Sequence, residues 1–256
     1  MQSTIGNRST AGPPTSTGPQ VTGRQLATAL AGWICLAAFL GTATILGLRQ
    51  LAPGWDPTIG PTVVVVAEVY LALAAALVLA CGGWTGLRER LAFRFTGWPD
   101  VGLSVGLFAF WAVLSLACYG ALALALGWSA RHAAVSLLSV ATDMKRLGAA
   151  SAVSLFFIVL RAGLLAGIGE ELLFRGALYG WLRSRWSARV AIGVSTAAFT
   201  AAHGVPIVFP TVVVFGLLSG WLRERTGSTL NTLVMHVLAD TSTLAAAWVL
   251  TLRHLA

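Results

Sequence analysis

Charged residues are scarce in this 256-residue sequence, at only 10% of the chain, whereas 57% of the residues are hydrophobic. Soluble domains carry about 25% charged residues, so the composition excludes an ordinary water-soluble fold. Cysteine is also rare, and its three positions lie far apart in apolar runs without a CxxC pattern: Cys35, Cys81 and Cys118. Neither a disulfide framework nor a thiolate metal site is therefore predicted. We expect a protein embedded in the lipid bilayer.

Several common catalytic motifs are missing as well. The sequence contains no HExxH and no Walker loop, and its single lysine, Lys145, has no glycine-rich surroundings. These absences give no support to a zincin or a P-loop nucleotidase. The excess of sixteen arginines and one lysine over nine acids gives a net charge of +8. Most of these arginines fall in short gaps between apolar stretches, as in the loops of membrane proteins, so no nucleic-acid partner is expected.

Seven apolar stretches approach the length that a helix needs to cross a bilayer, about 20 residues. The sequence therefore predicts an all-α, polytopic membrane helix bundle with about seven transmembrane helices, within a range of six to eight. Pro206 and Pro210 at the junction of the fifth and sixth stretches favour a broken or re-entrant arrangement there. The predicted spans are 25–48, 61–84, 101–127, 149–173, 189–204, 207–222 and 228–251.

The remaining segments are polar or amphipathic. Residues 1–22 are rich in Ser, Thr, Gly and Pro and are predicted to be a disordered tail, followed by N-terminal membrane helices over 23–148. Within that range, 129–147 has an apolar stripe bordered by charges and is predicted to lie at the membrane interface. With the N-terminus inside, ten arginines fall in cytoplasmic segments and five basic residues on the other side. We therefore expect a multi-pass protein of the cell membrane with a cytoplasmic N-terminus.

Ionisable residues inside spans are costly, at least ~2.5–3.5 kcal/mol each on insertion scales, and are functional candidates by default. The first set is Glu170, Glu171 and Arg175. Glu171 and Arg175 have the i,i+4 spacing of a helical ion pair, and Glu170 points about 100° away from Glu171. Glu170 is thus expected to remain unpaired, to face a cavity and to act as a general base. Alternatively, both acids pair with basic groups such as Arg161 and only hold helices together.

Two further sets carry histidine. His203 ends an alanine-rich span, where a satisfied interfacial residue is the alternative to a catalyst. His236 and Asp240 share one helix face, so the acid can orient the ring, although a structural hydrogen bond explains the pair equally well. Two carboxylates and two histidines from three helices together favour a site that activates water. Glu68 is expected to be a buried structural acid, and Gly163/Gly167 and Gly216/Gly220 are predicted helix contacts.

These three sets resemble the motifs of the CPBP family, the CAAX proteases and bacteriocin-processing enzymes also called Abi proteins. The family pattern is EExxxR, FxxxH and HxxxN or HxxxD, and it stands here as Glu170-Glu171-xxx-Arg175, Phe199-xxx-His203 and His236-xxx-Asp240. The resemblance implies an all-helical intramembrane endopeptidase, with a catalytic helical core over 149–256. Eukaryotic relatives trim the last three residues from prenylated CAAX proteins.

The resemblance also implies roles for the residues. Glu170 would activate water beside His203, Glu171 and Arg175 would form a structural ion pair, and His236 and Asp240 would stabilise the oxyanion or help to hold a metal. A divalent metal such as zinc would have His203, His236 and Asp240 as candidate ligands. The prenyl-protein branch has Asn at the position of Asp240. Because an ionised Asp cannot donate a hydrogen bond to an oxyanion, Asp240 must be protonated, orient His236 or bind a metal.

The predicted function is therefore hydrolysis of peptide bonds in membrane-associated peptide or protein substrates by water that Glu and His activate, with metal assistance as an open alternative. Two other classes stay open on the residues alone. Glu170, His203, His236 and Asp240 could form the relay of a proton- or ion-coupled transporter, or the chain could be a non-catalytic membrane scaffold. Many transporters contain internal repeats, and the absence of a visible repeat in this sequence weakens the transporter hypothesis.

Overall fold

The structure is a computed structural model that describes residues 21–51, 60–127, 159–204 and 208–255. Every regular element in these ranges is a helix, which confirms the all-α membrane bundle. The predicted interfacial segment 129–147, most of the predicted tail, the first ten residues of the predicted span 149–173 and Pro206 lie outside the described residues. The helices before the first motif are α1 (Gly23–Leu51), α2 (Gly60–Ala80), α3 (Trp84–Arg90) and α4 (Trp98–Ala125).

A long helical segment, which we call the motif helix, carries Glu170, Glu171 and Arg175. It consists of four consecutive pieces, in which π-helical and α-helical turns alternate: Leu160–Leu165 (π), Ala166–Glu171 (α), Leu172–Leu178 (π) and Tyr179–Arg183 (α). The helix continues ten residues beyond the predicted end of this span at residue 173, to Arg183. Three α-helices follow: α5 (Ala188–Ala202), α6 (Phe209–Thr226) and α7 (Thr229–Leu255).

Among the described residues, three helices are long and apolar enough to cross a membrane: Gly23–Gly47, Trp98–Ala125 and Thr229–Val249. A fourth span results if α2 and α3 are counted as one broken span, since they meet at an angle of 88°. The bend falls at Gly82 and Gly83, whose φ angles of 86° and 92° are accessible to glycine at little cost. The straight helix within the predicted span 61–84 therefore stops at Ala80. α5 is apolar but shorter, and the count of seven spans stays a prediction.

Small residues let the central helices approach closely. A Cβ at Gly163 would lie 2.8 Å from Thr241 on α7, and one at Gly167 would lie 3.3 Å from Leu233 on the same helix. Across the other interface, Gly216 and Gly220 of α6 face Thr196 and Ile192 of α5 in the same way. Both predicted glycine contacts are confirmed. The motif helix lies between α2 on one side and α7 on the other.

A short clamp holds the start of α7. The chain between α3 and α4 accepts a hydrogen bond at Ala92 O from the backbone N–H of Thr229, 3.0 Å away. Thr96 Oγ1 accepts another from Asn231 Nδ2 at 2.8 Å. Thr229 and Asn231 are fully buried, so these bonds are shielded from solvent. The clamp fixes the position of α7 along its own axis, and thereby the height of His236 and Asp240 in the bundle.

Candidate active site

The structure brings Glu171 and Arg175 together in the interior of the bundle. Arg175 Nη1 lies 3.2 Å from Glu171 Oε1, and the two side chains are 0% and 1% exposed. The i,i+4 geometry expected from the sequence is thus present, even though Arg175 lies in a π-helical turn. A charge pair this deeply buried has to be compensated completely, because a lone charge in the same place would carry a large desolvation cost.

Two aromatic rings complete the surroundings of Arg175. Its guanidinium carbon lies 4.1 Å from the centroid of Phe199 on α5 and 5.7 Å from that of Phe215 on α6. Among the described residues, Nε and Nη2 of Arg175 have no hydrogen-bond partner, so the ring faces compensate part of its charge. Phe199, the first residue of the FxxxH motif, thus contacts the buried guanidinium of Arg175. This role was predicted from the sequence neither for Phe199 nor for Phe215.

His236 is held by a carboxylate of a different helix. Its Nδ1 donates a hydrogen bond of 2.7 Å to Glu171 Oε1, and its side chain is 5% exposed. Asp240, which the sequence suggested as the orienting acid, lies farther away, at 3.5 Å from Nε2. The shortest contact of the ring is therefore with Glu171, which pairs with Arg175 and His236 at once. Phe215 and Phe199 contact the ring of His236 edge-on, at 4.8 and 5.9 Å between centroids.

Glu170 departs from the expectation that it remains unpaired. Its Oε1 accepts a hydrogen bond of 2.8 Å from the hydroxyl of Tyr70 on α2, a hundred residues earlier in the chain. Its Oε2 lies 3.7 Å from Nε2 of His236, and 18% of the side chain is exposed. The expectation was wrong because helix geometry within one segment cannot reveal a donor on a distant helix. The signal available was a tyrosine inside an apolar run, whose hydroxyl needs a partner when buried.

His203 lies directly after α5 and is half-buried. Its Nδ1 donates a hydrogen bond of 2.9 Å to the carbonyl of Phe199, and its ring contacts that of Phe199 at 4.6 Å. In the described part of the chain no hydrogen bond joins His203 to Glu170, His236 or Asp240. The two histidines instead contact the same ring, that of Phe199. Because Nδ1 of His203 carries the donated hydrogen, the lone pair of its neutral form is on Nε2.

The metal interpretation can be tested against the donor arrangement. Over the described ranges, no group of three or more His, Cys, Asp and Glu side chains has an arrangement that could hold a metal ion. His203, His236 and Asp240 are not such a group, although each histidine donates a hydrogen bond from Nδ1, as histidines that bind a metal through Nε2 also do. Metal assistance stays a prediction.

Glu68, the remaining acid within a predicted span, contacts α1 and not the residues of this site. Glu68 on α2 accepts a hydrogen bond of 2.6 Å from Thr44 Oγ1 on α1, within the pairing of these two helices. Nothing is described for the side chain of Arg161, the proposed counter-charge.

Comparison with known proteins agrees with the motifs. Residues 152–242 match the family model described as type II CAAX prenyl endopeptidase, Rce1-like. Neither a curated protein nor a solved structure matches the chain. The matched segment contains all three motifs, from Glu170 to Asp240, and excludes α1 to α4. The predicted resemblance is confirmed over residues 152–242, which are similar to the Rce1-like type II CAAX prenyl endopeptidases.

Proposed function

We propose that this protein is a membrane-embedded endopeptidase in which Glu170 activates the attacking water. One observation above all supports this assignment. Like Asp240, Glu170 is a partly exposed carboxylate of the site, and it has one oxygen held by Tyr70 and the other 3.7 Å from His236 Nε2. Glu171, its neighbour, is fully buried and paired, so the two acids differ in access to water. The family match over the same residues adds the reaction class.

In the proposed reaction, the oxygen of a water molecule attacks the peptide carbonyl carbon while Glu170 takes a proton from it. The proton then passes to the amide nitrogen as the C–N bond breaks, which releases a carboxylic acid and an amine. His203 would orient the same water. Because its Nδ1 donates to the Phe199 carbonyl, its Nε2 is the acceptor for the second water hydrogen.

His236 is suited to stabilise the oxyanion that forms on the carbonyl oxygen. Its Nδ1 is fixed by Glu171, so the ring cannot turn, and a protonated Nε2 would point to the side where Glu170 and Asp240 lie. Loss of one such donor typically lowers kcat about 100- to 1,000-fold. Asp240 would compensate the charge of the protonated ring, a role that needs no hydrogen bond to the substrate.

The matched family is named for prenylated CAAX substrates, so a prenylated C-terminal peptide is the substrate class we propose. The test uses purified protein in lipid nanodiscs, a farnesylated peptide with three residues after the modified cysteine, and the same peptide without farnesyl. Mass spectrometry of the products identifies the bond that is cut. Cleavage of the farnesylated peptide alone supports the substrate class, and cleavage of both supports peptidase activity without prenyl selectivity.

The matched variants are Glu170→Gln and Glu89→Gln, since Glu89 is an exposed acid of α3 away from the site. Glu170→Gln should lower the rate about 100- to 10,000-fold, the usual contribution of a general base, and Glu89→Gln should leave it unchanged. A strong chelator should not inhibit the enzyme. Wild-type protein that cleaves neither peptide, or a Glu170→Gln variant as active as wild type, would contradict the proposal.

A further inference from the structure

The active-site carboxylate touches a residue outside the family segment. Tyr70 lies on α2, more than eighty residues before the matched range 152–242, and its hydroxyl donates to Glu170 Oε1 at 2.8 Å. Tyr70 itself is half-buried. A hydrogen bond to a charged group is roughly twice as strong as one between two neutral groups.

The backbone of the motif helix is shaped to admit this tyrosine. Gly169, directly before Glu170, lies against the ring: a Cβ there would be 2.8 Å from Tyr70 Cδ1 and 3.6 Å from Tyr70 Cβ. It would also lie 3.4 Å from Leu73, one turn further along α2 and 2% exposed. Any larger residue at 169 would push the tyrosine away. The ring therefore rests on the peptide unit that leads into Glu170.

The hydrogen bond distinguishes the two oxygens of Glu170. Oε1 is occupied by Tyr70, whereas Oε2 is directed to the side of His236, at 3.7 Å from Nε2. Without Tyr70 the carboxylate could rotate about its terminal torsion, which is broad and roughly two-fold. A misplacement of about 1 Å in a catalytic group can cost a factor of about 100 in rate.

We propose that Tyr70 is a positioning residue for Glu170, so that α2 completes an active site whose motifs all lie elsewhere. This inference rests on the proposed function, since it assigns Glu170 the role of general base. In this arrangement, the site includes a residue outside the matched range 152–242. Tyr70 acts through Glu170 and need not touch the substrate.

The chain offers a matched control. Tyr119 on α4 shares a hydrogen bond of 2.8 Å with Thr211 Oγ1 on α6, also between two helices and partly buried. Tyr70→Phe should lower kcat for the farnesylated peptide about 10- to 100-fold with KM within twofold of wild type. Tyr119→Phe should leave kcat unchanged, although it removes a hydrogen bond of the same length. Gly169→Ala should reproduce the loss of kcat by displacing the ring.

A second measurement needs no catalysis. The midpoints of thermal unfolding of Tyr70→Phe, Glu170→Leu and the double variant form a cycle, in which the effect of Tyr70→Phe should vanish when Glu170 is absent. Additive effects, an unchanged kcat in Tyr70→Phe, or equal losses of kcat in Tyr70→Phe and Tyr119→Phe would overturn the inference. If wild-type protein cleaves no peptide, the proposed function fails, and the cycle alone then decides whether Tyr70 holds Glu170.

Discussion

Removing the charge of Glu171 should unfold the protein rather than merely inactivate it. In Glu171→Gln, Arg175 keeps its positive charge at a position with 0% exposure and loses the only carboxylate within ion-pair distance among the described residues. His236 Nδ1 loses the same charged acceptor. The change therefore affects two partners on two helices.

The magnitude follows from the burial of the pair. Breaking a buried ion pair by removing one partner typically costs about 3–5 kcal/mol, since the remaining charge has no compensation. Protein domains are stable by only about 5–15 kcal/mol, so such a loss is a large part of the total. The pair of Arg183 and Glu224 gives an internal comparison, with 29% and 21% exposed side chains and a closest distance of 3.1 Å. Glu224→Gln should cost about 0–1 kcal/mol, the usual value near a surface.

The assay is the yield of monodisperse protein in detergent together with the midpoint of thermal unfolding. Glu171→Gln should give little folded protein, Glu224→Gln a nearly normal yield, and Glu171→Gln combined with Arg175→Met a partial recovery, because no buried charge is left. If Glu171→Gln and Glu224→Gln lower the midpoint equally, or if Arg175→Met brings no recovery, the buried charge is not what makes Glu171 essential.

Three further predictions concern other parts of the molecule. Phe199→Leu should destabilise the fold by about 2–3 kcal/mol, because it removes the ring over the guanidinium of Arg175, and thermal unfolding of the variant measures this loss. Burial raises the pKa of Glu224, which lies beyond the spans, but hydrogen bonds from Arg183 and Tyr179 outweigh it and hold the pKa below its usual value. The stability that Glu224 contributes is thus complete above pH ~4.3 and is lost as the pH falls through the lowered pKa. In Glu224→Gln, the midpoint of thermal unfolding should therefore fall less than in the wild type when the pH is lowered through this range. Single cysteines placed in 88–94 and 183–189, with the three native cysteines replaced by alanine, should resist an impermeant thiol reagent added outside the cell, and labelling from outside would contradict the cytoplasmic assignment.

Local spacing predicted part of the site. The i,i+4 separation of Glu171 and Arg175 placed their side chains on one helix face, and the structure shows them in contact. The same rule placed His236 and Asp240 on one face, and they lie 3.5 Å apart. Both contacts depend only on the geometry of a single helix, which a short stretch of sequence contains in full.

Contacts between helices could not be predicted in this way. The hydrogen bond from His236 to Glu171 and the bond from Tyr70 to Glu170 join residues 65 and 100 positions apart. Both depend on how closely the helices approach, which the glycines at 167 and 169 permit. The bend after α2 could have been predicted from the sequence, because adjacent glycines such as those at 82 and 83 are a turn signal. The prediction of a span over 61–84 followed the apolar character of the stretch instead.

The clamp on α7 also sets the depth at which chemistry would occur. The candidate span begins at Thr229, where the clamp holds it, and His236 follows seven residues later. At 1.5 Å per residue the ring is about 10 Å along the helix from that end. An extended peptide advances about 3.3 Å per residue, so about three residues cover the distance. In the proposed reaction, a substrate that reaches the site from this end would need about three residues of extended chain, and a clamp placed earlier or later on α7 would shift the bond that is cut.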